Sequence, residues 1–417
     1  MYFSSSALAS YALTVLPVLA KSTPDFPQYP TDPPQPPQPG ADPFKLYTIS
    51  ADNITATFIP YGARMTSLLV PDRNGNLQDV NVGFDDPKQY LVETTTTQSY
   101  LGPVVGRYAN RIANGSFEID GVDYQISQNN KGNALHGGEV GYDQYNWTVT
   151  AQAEDSITFS LLDEEIGGFP GDVITHATFS VSSTGDENTL TAKTVSVALN
   201  KKTPIMLANH FYWNLNAFKA ENILDDTTLQ LPLSTRYVGT DGELIPNGEL
   251  PDVADSPGGV LDFTEGKLVG DGQEDFEDLC GTGCSGIDQC FLVDREDDTA
   301  DWTSSPDPLA HILSLSSSTT GISMDIATNQ RALQIYTCNN QDGTIPVKPS
   351  QLKRNEEDSE GPLVEGVNQY GCIVIETEGY IDGINQPEWG QEDYQIFSSE
   401  TGPAVNWATY TFGTIKE

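Results

Sequence analysis

A chain of 417 residues can hold one large domain or two ordinary ones, and nothing in its size limits the core it can bury. Its 59 Asp and Glu against 20 Lys and Arg leave a formal charge of −39, which repels phosphate backbones and anionic bilayers alike. Nucleic acid and membrane surfaces are thereby excluded as partners.

The first twenty residues, "MYFSSSALASYALTVLPVLA", carry an apolar stretch ending in Val18-Leu19-Ala20, a small-residue pattern suited to signal-peptidase cleavage. Export is the expectation. Residues 21–43, "KSTPDFPQYPTDPPQPPQPGADP", are proline-dense and nearly devoid of aliphatics; they bury too little to offset chain entropy and read as a disordered linker. No later run reaches the roughly 18 apolar residues that a membrane span needs.

From residue 44 the pattern has period two. "NITATFI" and "RMTSLLV" are rich in β-branched residues and are separated by Pro60 and Gly62. "SFEIDGVDYQI" sets Asp120-Gly121 between alternating runs, the strongest local hairpin signal, because a type I′ turn needs positive φ at both central positions. Strand pairs continue in "WTVTAQAEDSITFSLL", "HATFSVSSTGDENTLTAKTVSVAL", "GISMDIATNQRALQIYTC" and "GCIVIETEGY". Amphipathic helices are nearly absent, and the acidic runs "GDGQEDFEDL" and "KRNEEDSEGP" read as solvated loops. Many short strands with no linker among them predict one all-β domain, a sandwich or barrel, over 44–417.

Cys280, Cys284, Cys290, Cys338 and Cys372 allow two disulfides and one leftover thiol, with the pairing open. The first three fit no common zinc spacing and have no histidine nearby. Sequons at Asn53, Asn114 and Asn146 accord with a secreted glycoprotein.

Only four histidines occur, and two keep unusual company: His136 in "GNALHGG" and His210 among the aromatics of "ANHFYWNLNAF". The stretch "GRYANRIANGSFEIDGVDYQISQNNKGNALHGG" (106–138) resembles the N-terminal signature of the aldose 1-epimerases, or galactose mutarotases. "GYDQYNWTV", "GGFPGDV", "TPIMLANHFYWNL", "GIDQCFLV", "LQIYT" and "IETEGYIDGINQPEW" follow in the order of that family. The resemblance implies a large galactose-mutarotase-like β-sandwich, or supersandwich, acting on a free monosaccharide and using neither metal nor organic cofactor. It identifies Glu376 with the catalytic base and His210 with the acid that protonates the ring oxygen. His136 corresponds to a second, sugar-orienting histidine, and Asn110, Arg111, Asp288 and Gln334 to groups that contact sugar hydroxyls.

Those residue types suit the chemistry. Anomers interconvert when a base takes the C1 hydroxyl proton and an acid protonates the ring oxygen, and an imidazole with an ordinary pKa near about 6.5 serves as that acid. Arg111 offers a fork of donors for vicinal hydroxyls. Asp288 accepts from hydroxyls and, as a nearby negative charge, is expected to favour a protonated imidazole. One ring of Phe211, Tyr212 and Trp213 is expected to face the sugar, the others the core. Glu378 shares a strand face with Glu376 and is the rival base. Gly137 and Gly138 serve either a turn or close approach to a ligand. His176 and His311 match no site motif.

The sequence departs from the family where Asp288-Gln289-Cys290-Phe291 replaces Asp-His-Asn-Phe, where Trp213 replaces Phe, and where Cys338 replaces a glycine near the pocket. These changes bear on which sugar fits. Three other readings compete: a non-catalytic carbohydrate-binding protein, a hexose-6-phosphate 1-epimerase, which needs a basic cluster for its phosphate, and a glycoside hydrolase using Asp288 and Glu376.

Overall fold

The computed structural model describes residues 42–295, 309–358 and 362–415. The expected signal peptide and all but the last two residues of the proline-rich segment lie outside them. Along Asp172–Thr184 and Glu187–Ala198, deeply buried residues alternate with less buried ones. Period-two burial is what a strand shows when one of its faces is packed. These strands form the middle of a nine-stranded antiparallel sheet. Its order is Thr148–Gln152, Ser156–Glu164, Asp172–Thr184, Glu187–Ala198, Ala404–Thr414, Ile322–Thr328, Ala310–Ser317, Thr227–Gln230 and Lys267–Leu268.

A four-stranded sheet, Tyr47–Ala51, Ile54–Ile59, Arg64–Pro71 and Leu77–Asp79, covers one part of its apolar face. Phe58 stacks there on Phe179 at 4.6 Å. A second four-stranded sheet, in the order Tyr212–Trp213, Ile373–Glu378, Ala332–Tyr336 and Asp288–Leu292, covers another. Trp213, Ile373, Ile375, Leu333, Ile335 and Phe291 enter the core from it, with Trp213 lying 5.3 Å from Tyr410.

That packing dictates what the outer face carries. Gln334 pairs with Glu376, Asp288 with Tyr336, and Tyr212 with Val374, so Tyr212, Glu376, Gln334 and Asp288 all emerge on the side away from the core. A slip of one residue would turn these polar groups into the core and its isoleucines outward. The apolar pattern thus fixes the placement of the polar groups.

The all-β sandwich architecture is the one expected, and Asp120 and Gly121 (φ 53° and 78°) make the two-residue turn that joins Ile119 to Val122. Two expectations are corrected. "GISMDIATNQRALQIYTC" is not a hairpin: Ile322–Thr328 belongs to the nine-stranded sheet and Ala332–Tyr336 to the second four-stranded one. Asn329 and Thr328 turn the corner by bonding to the strand Ala404–Thr414, Asn329 Nδ2 donating to Val405 O at 3.0 Å and Thr328 Oγ1 to Trp407 O at 2.8 Å. Residues 353–358 of "KRNEEDSEGP" are not loop either but the end of a helix, Pro349–Asp358. Its buried side is polar, so no apolar period announces it: Gln351 Nε2 donates to Asn355 Oδ1 (2.9 Å), and Asn355 Nδ2 to Ala217 O (2.9 Å). Around "GDGQEDFEDL" the acids stay near solvent while Phe276 and Leu279 are buried.

The cysteines pair as Cys280–Cys284 and Cys338–Cys372, and Cys290 is free and buried. Among the described residues, no helix is long and apolar enough to cross a membrane.

Candidate active site

A cavity of about 370 Å³ opens above the polar face of the second four-stranded sheet. That is room for a small molecule. Asn110, Arg111, His136, His210, Asp288, Gln334 and Glu376, the seven residues singled out in the sequence, all line it. The structure brings together groups that lie up to 266 positions apart, from Asn110 to Glu376. The sheet supplies Glu376, Gln334, Asp288, Tyr212 and Tyr336; the walls come from residues 97–100, 110–111, 130–136 and 340–345.

His210 follows the short strand Ala208–Asn209 and is clamped by its backbone, its N–H donating to Pro103 O (2.9 Å) and its carbonyl accepting from Gly102 N (3.0 Å). Its Nε2 lies 3.6 Å from Glu376 Oε1, and both side chains are under a tenth exposed. His136, at φ 50°, packs edge-on against His210 with ring centres 5.0 Å apart. The Asn110 N–H donates to His136 Nδ1 at 3.1 Å. An accepting Nδ1 leaves the ring proton on Nε2, so a neutral His136 can only donate from that nitrogen. Tyr100, which no motif announced, packs against both rings at 4.7 and 5.8 Å. Of the three aromatics after His210, Tyr212 lines the cavity, while Phe211 and Trp213 are in the core.

Asn110 organises the opposite wall. Its Oδ1 accepts from Arg111 N (2.9 Å) and Arg111 Nη1 (3.3 Å), and its Nδ2 donates to Glu378 Oε1 (2.9 Å). Arg111 Nη2 lies 3.8 Å from Asp288 Oδ2, and Gln334 Nε2 donates to the other Asp288 oxygen. The glycines of "LHGG" allow close packing within the chain: a Cβ on Gly137 (φ 92°) would fall 2.1 Å from Gly106 O, and one on Gly138 (φ 93°) 2.3 Å from Ser127 Oγ. Cys338, at φ 54°, occupies backbone space that favours glycine, and its bond to Cys372 anchors the segment leading into 340–345.

The segment carrying Asn110 and Arg111 is anchored deeper still. Arg107 and Asp163 form an ion pair with both side chains at 0% exposure. Arg107 Nε donates to Asp163 Oδ2 (2.7 Å) and Nη1 to Pro170 O (3.0 Å), Gly171 O (2.9 Å) and Thr203 Oγ1 (3.0 Å). Tyr142 Oη donates to Asp163 Oδ2 as well, at 2.9 Å. The Gly-Arg and Gly-Phe-Pro-Gly pieces of the sequence are therefore scaffold.

Burial dominates the electrostatics. It pushes Glu376 well above the ordinary carboxyl range, Glu378 and Asp288 push the same way, and Arg111 opposes them. It lowers His210 to about 3, aided by Arg64 and opposed by the carbonyls of His210 and Tyr100. It takes His136 well below its usual value, with His210 and Arg111 adding to the effect. Burial thus favours the uncharged forms of both imidazoles and of Glu376. Asp288 does not hold an imidazole protonated, as the sequence suggested; its charge is engaged by Arg111 and Gln334. Among the described residues, the donor atoms of His136, His210 and Glu376 lie within 4.8 Å of one another, the one grouping spaced to take a cation.

A stability prediction follows from these signs. Burial also raises Glu378 to about 8, and Asp143 and Asp382 to about 7. Carboxyls raised in the folded state contribute stability that is complete below their unfolded values and is lost as pH rises through the folded ones. The lowered imidazoles act in the opposite sense, but only below about pH 6.5, where the unfolded rings take up protons. The melting temperature should therefore fall between about pH 6.5 and 8.5 at constant ionic strength. Scanning calorimetry that found it climbing over this interval would refute the protonation pattern.

A family model described as Aldose 1-epimerase matches residues 45–396. A protein of Arthroderma benhamiae described as a probable aldose 1-epimerase is 55% identical over 382 residues, covering 89% of this chain and 87% of its own. The aldose 1-epimerase of Haemophilus influenzae is 31% identical over 372 residues, covering 89% and 96%. Among solved structures, an aldose epimerase homologue from C. elegans superimposes with a TM-score of 0.71 at 23% identity, covering 89% of this chain and 99% of that one, a likeness of fold.

Proposed function

Because the chain belongs to the aldose 1-epimerase family, we propose a residue-level account of how it interconverts the α and β anomers of free aldoses. Glu376 removes the proton from the C1 hydroxyl while His210 donates one to the ring oxygen. The bond from C1 to the ring oxygen breaks, the aldehyde rotates about C1–C2, and the steps reverse on its other face. At the open-chain stage Glu376 carries the proton and His210 is neutral. That is the distribution burial already favours, so the cavity leans toward the intermediate. In the ring-opening direction the pair must first hold the opposite distribution, Glu376 ionised and His210 charged, a single proton relocated.

The observation that carries this reading is the 3.6 Å approach of His210 Nε2 to Glu376 Oε1 inside a cavity of monosaccharide scale. His136 Nε2–H donates to a sugar oxygen, Arg111, Asp288, Gln334 and Asn110 take the hydroxyls, and Tyr100 and Tyr212 offer ring faces to the C–H edges. Arg111 is the only Lys or Arg among the described lining residues and already faces Asp288, which argues against a phosphorylated sugar.

The setting we infer is extracellular. Two disulfides and a fifth, free cysteine that is buried suit an oxidising compartment, and all three sequon asparagines are exposed. One experiment tests activity and export together: the full chain is produced in a secreting eukaryotic host, and medium and lysate are each assayed by polarimetry on freshly dissolved α-D-glucose, α-D-galactose and α-D-xylose. Medium that accelerates the decay is expected. Activity confined to the lysate would overturn export, and buffer-rate decay in both fractions would overturn the epimerase reading.

A further inference from the structure

Glu378 is a buried carboxyl that the reaction above does not use. It lies two residues beyond Glu376 on the strand Ile373–Glu378, so both side chains leave the same face, and it is 0% exposed. Asn110 Nδ2 holds one of its oxygens at 2.9 Å, and the other has no hydrogen-bond partner among the described residues. The groups that bear on the pair are Asp288 and Cys290 from the strand Asp288–Leu292, Arg111 from the facing wall, and Tyr108, His210, Tyr212 and Tyr410. Only Arg111 is a permanent cation, and it faces Asp288 at 3.8 Å. Full ionisation of three carboxyls against one guanidinium is disfavoured where Glu376 and Glu378 are both buried, because burial and like charge each oppose the charged form.

We propose that Glu378 is a positioning residue for the base: held by Asn110, it sets the proton affinity at which Glu376 works, and the acid limb of activity belongs to the two carboxyls as a pair. This rests on Glu376 being the base. Two interacting carboxyls lose their protons in two steps that belong to both. Ionised Glu378 makes Glu376 harder to ionise, so removing the neighbour's charge should let Glu376 act at lower pH.

The test is the pH dependence of kcat/KM for the parent and for Glu378→Gln, a change that keeps the size and the acceptor for Asn110. The acid midpoint should move down by about one pH unit, the scale on which a neighbouring like charge acts. A merely structural role would lower the melting temperature and leave the midpoint alone; an unmoved midpoint in folded Glu378→Gln overturns the proposal. If that variant does not fold, the parent decides. A ¹³C-NMR titration with labelled glutamate carboxyls should show two titrating far above the rest, and their absence overturns it. Should the parent turn over no sugar, the function has failed, while the titration still reads the pair.

Discussion

Glu376→Gln should lose about two to four powers of ten in kcat/KM, the range a positioned acid or base contributes. The amide matches the carboxyl in size but cannot accept the C1 hydroxyl proton. The groups assigned to the hydroxyls, Arg111, Asp288 and Gln334, are left in place, so the loss should fall on kcat with KM little changed. The variant also removes an acid that burial holds far above its usual range. It should therefore melt no lower than the parent at neutral pH, which separates a catalytic loss from an unfolded protein. Polarimetric turnover within threefold of the parent would take the base role away from Glu376.

The largest effect on stability should come from Asp163→Asn. The substitution leaves the Arg107 guanidinium buried without its counter-charge, a situation that costs about 3–5 kcal/mol. Urea unfolding at an unchanged m-value would read that loss directly. Replacing both partners, as in Arg107→Met with Asp163→Leu, should cost less than the sum of the single changes, because no unmatched charge is left behind. A loss under about 1 kcal/mol for Asp163→Asn would mean that the carbonyls of Pro170 and Gly171 satisfy Arg107 without the carboxylate.

How much of this was legible in the sequence depends on which interactions are local. Strand alternation along 172–198 and the Asp120-Gly121 turn are encoded by neighbours in the chain, and both are seen. The cavity-lining set was reached through a resemblance of motifs; no periodicity could bring residues 110, 210 and 376 together. What escaped depends on distant partners. The corner at Thr328–Asn329 is made by bonds to the strand Ala404–Thr414, and the helix Pro349–Asp358 is held by amides against Ala217. Tyr100 gives no signal, since its place follows from a left-handed backbone (φ 55°) and the rings it meets. Protonation was misjudged at Asp288 for the same reason: charge alone is visible in a sequence, and the burial that lowers both histidines is not.

Glu376 rises from an interior strand, hydrogen-bonded on both sides and packed from beneath by Trp213 and Tyr410, whereas much of the rim around the sugar is loop, including the stretch that follows Cys338. Natural variation can therefore reshape the mouth and retune which aldose is admitted while leaving the proton-transfer geometry untouched. An engineer who wants a different sugar should begin at residues 340–345 and spare the sheet.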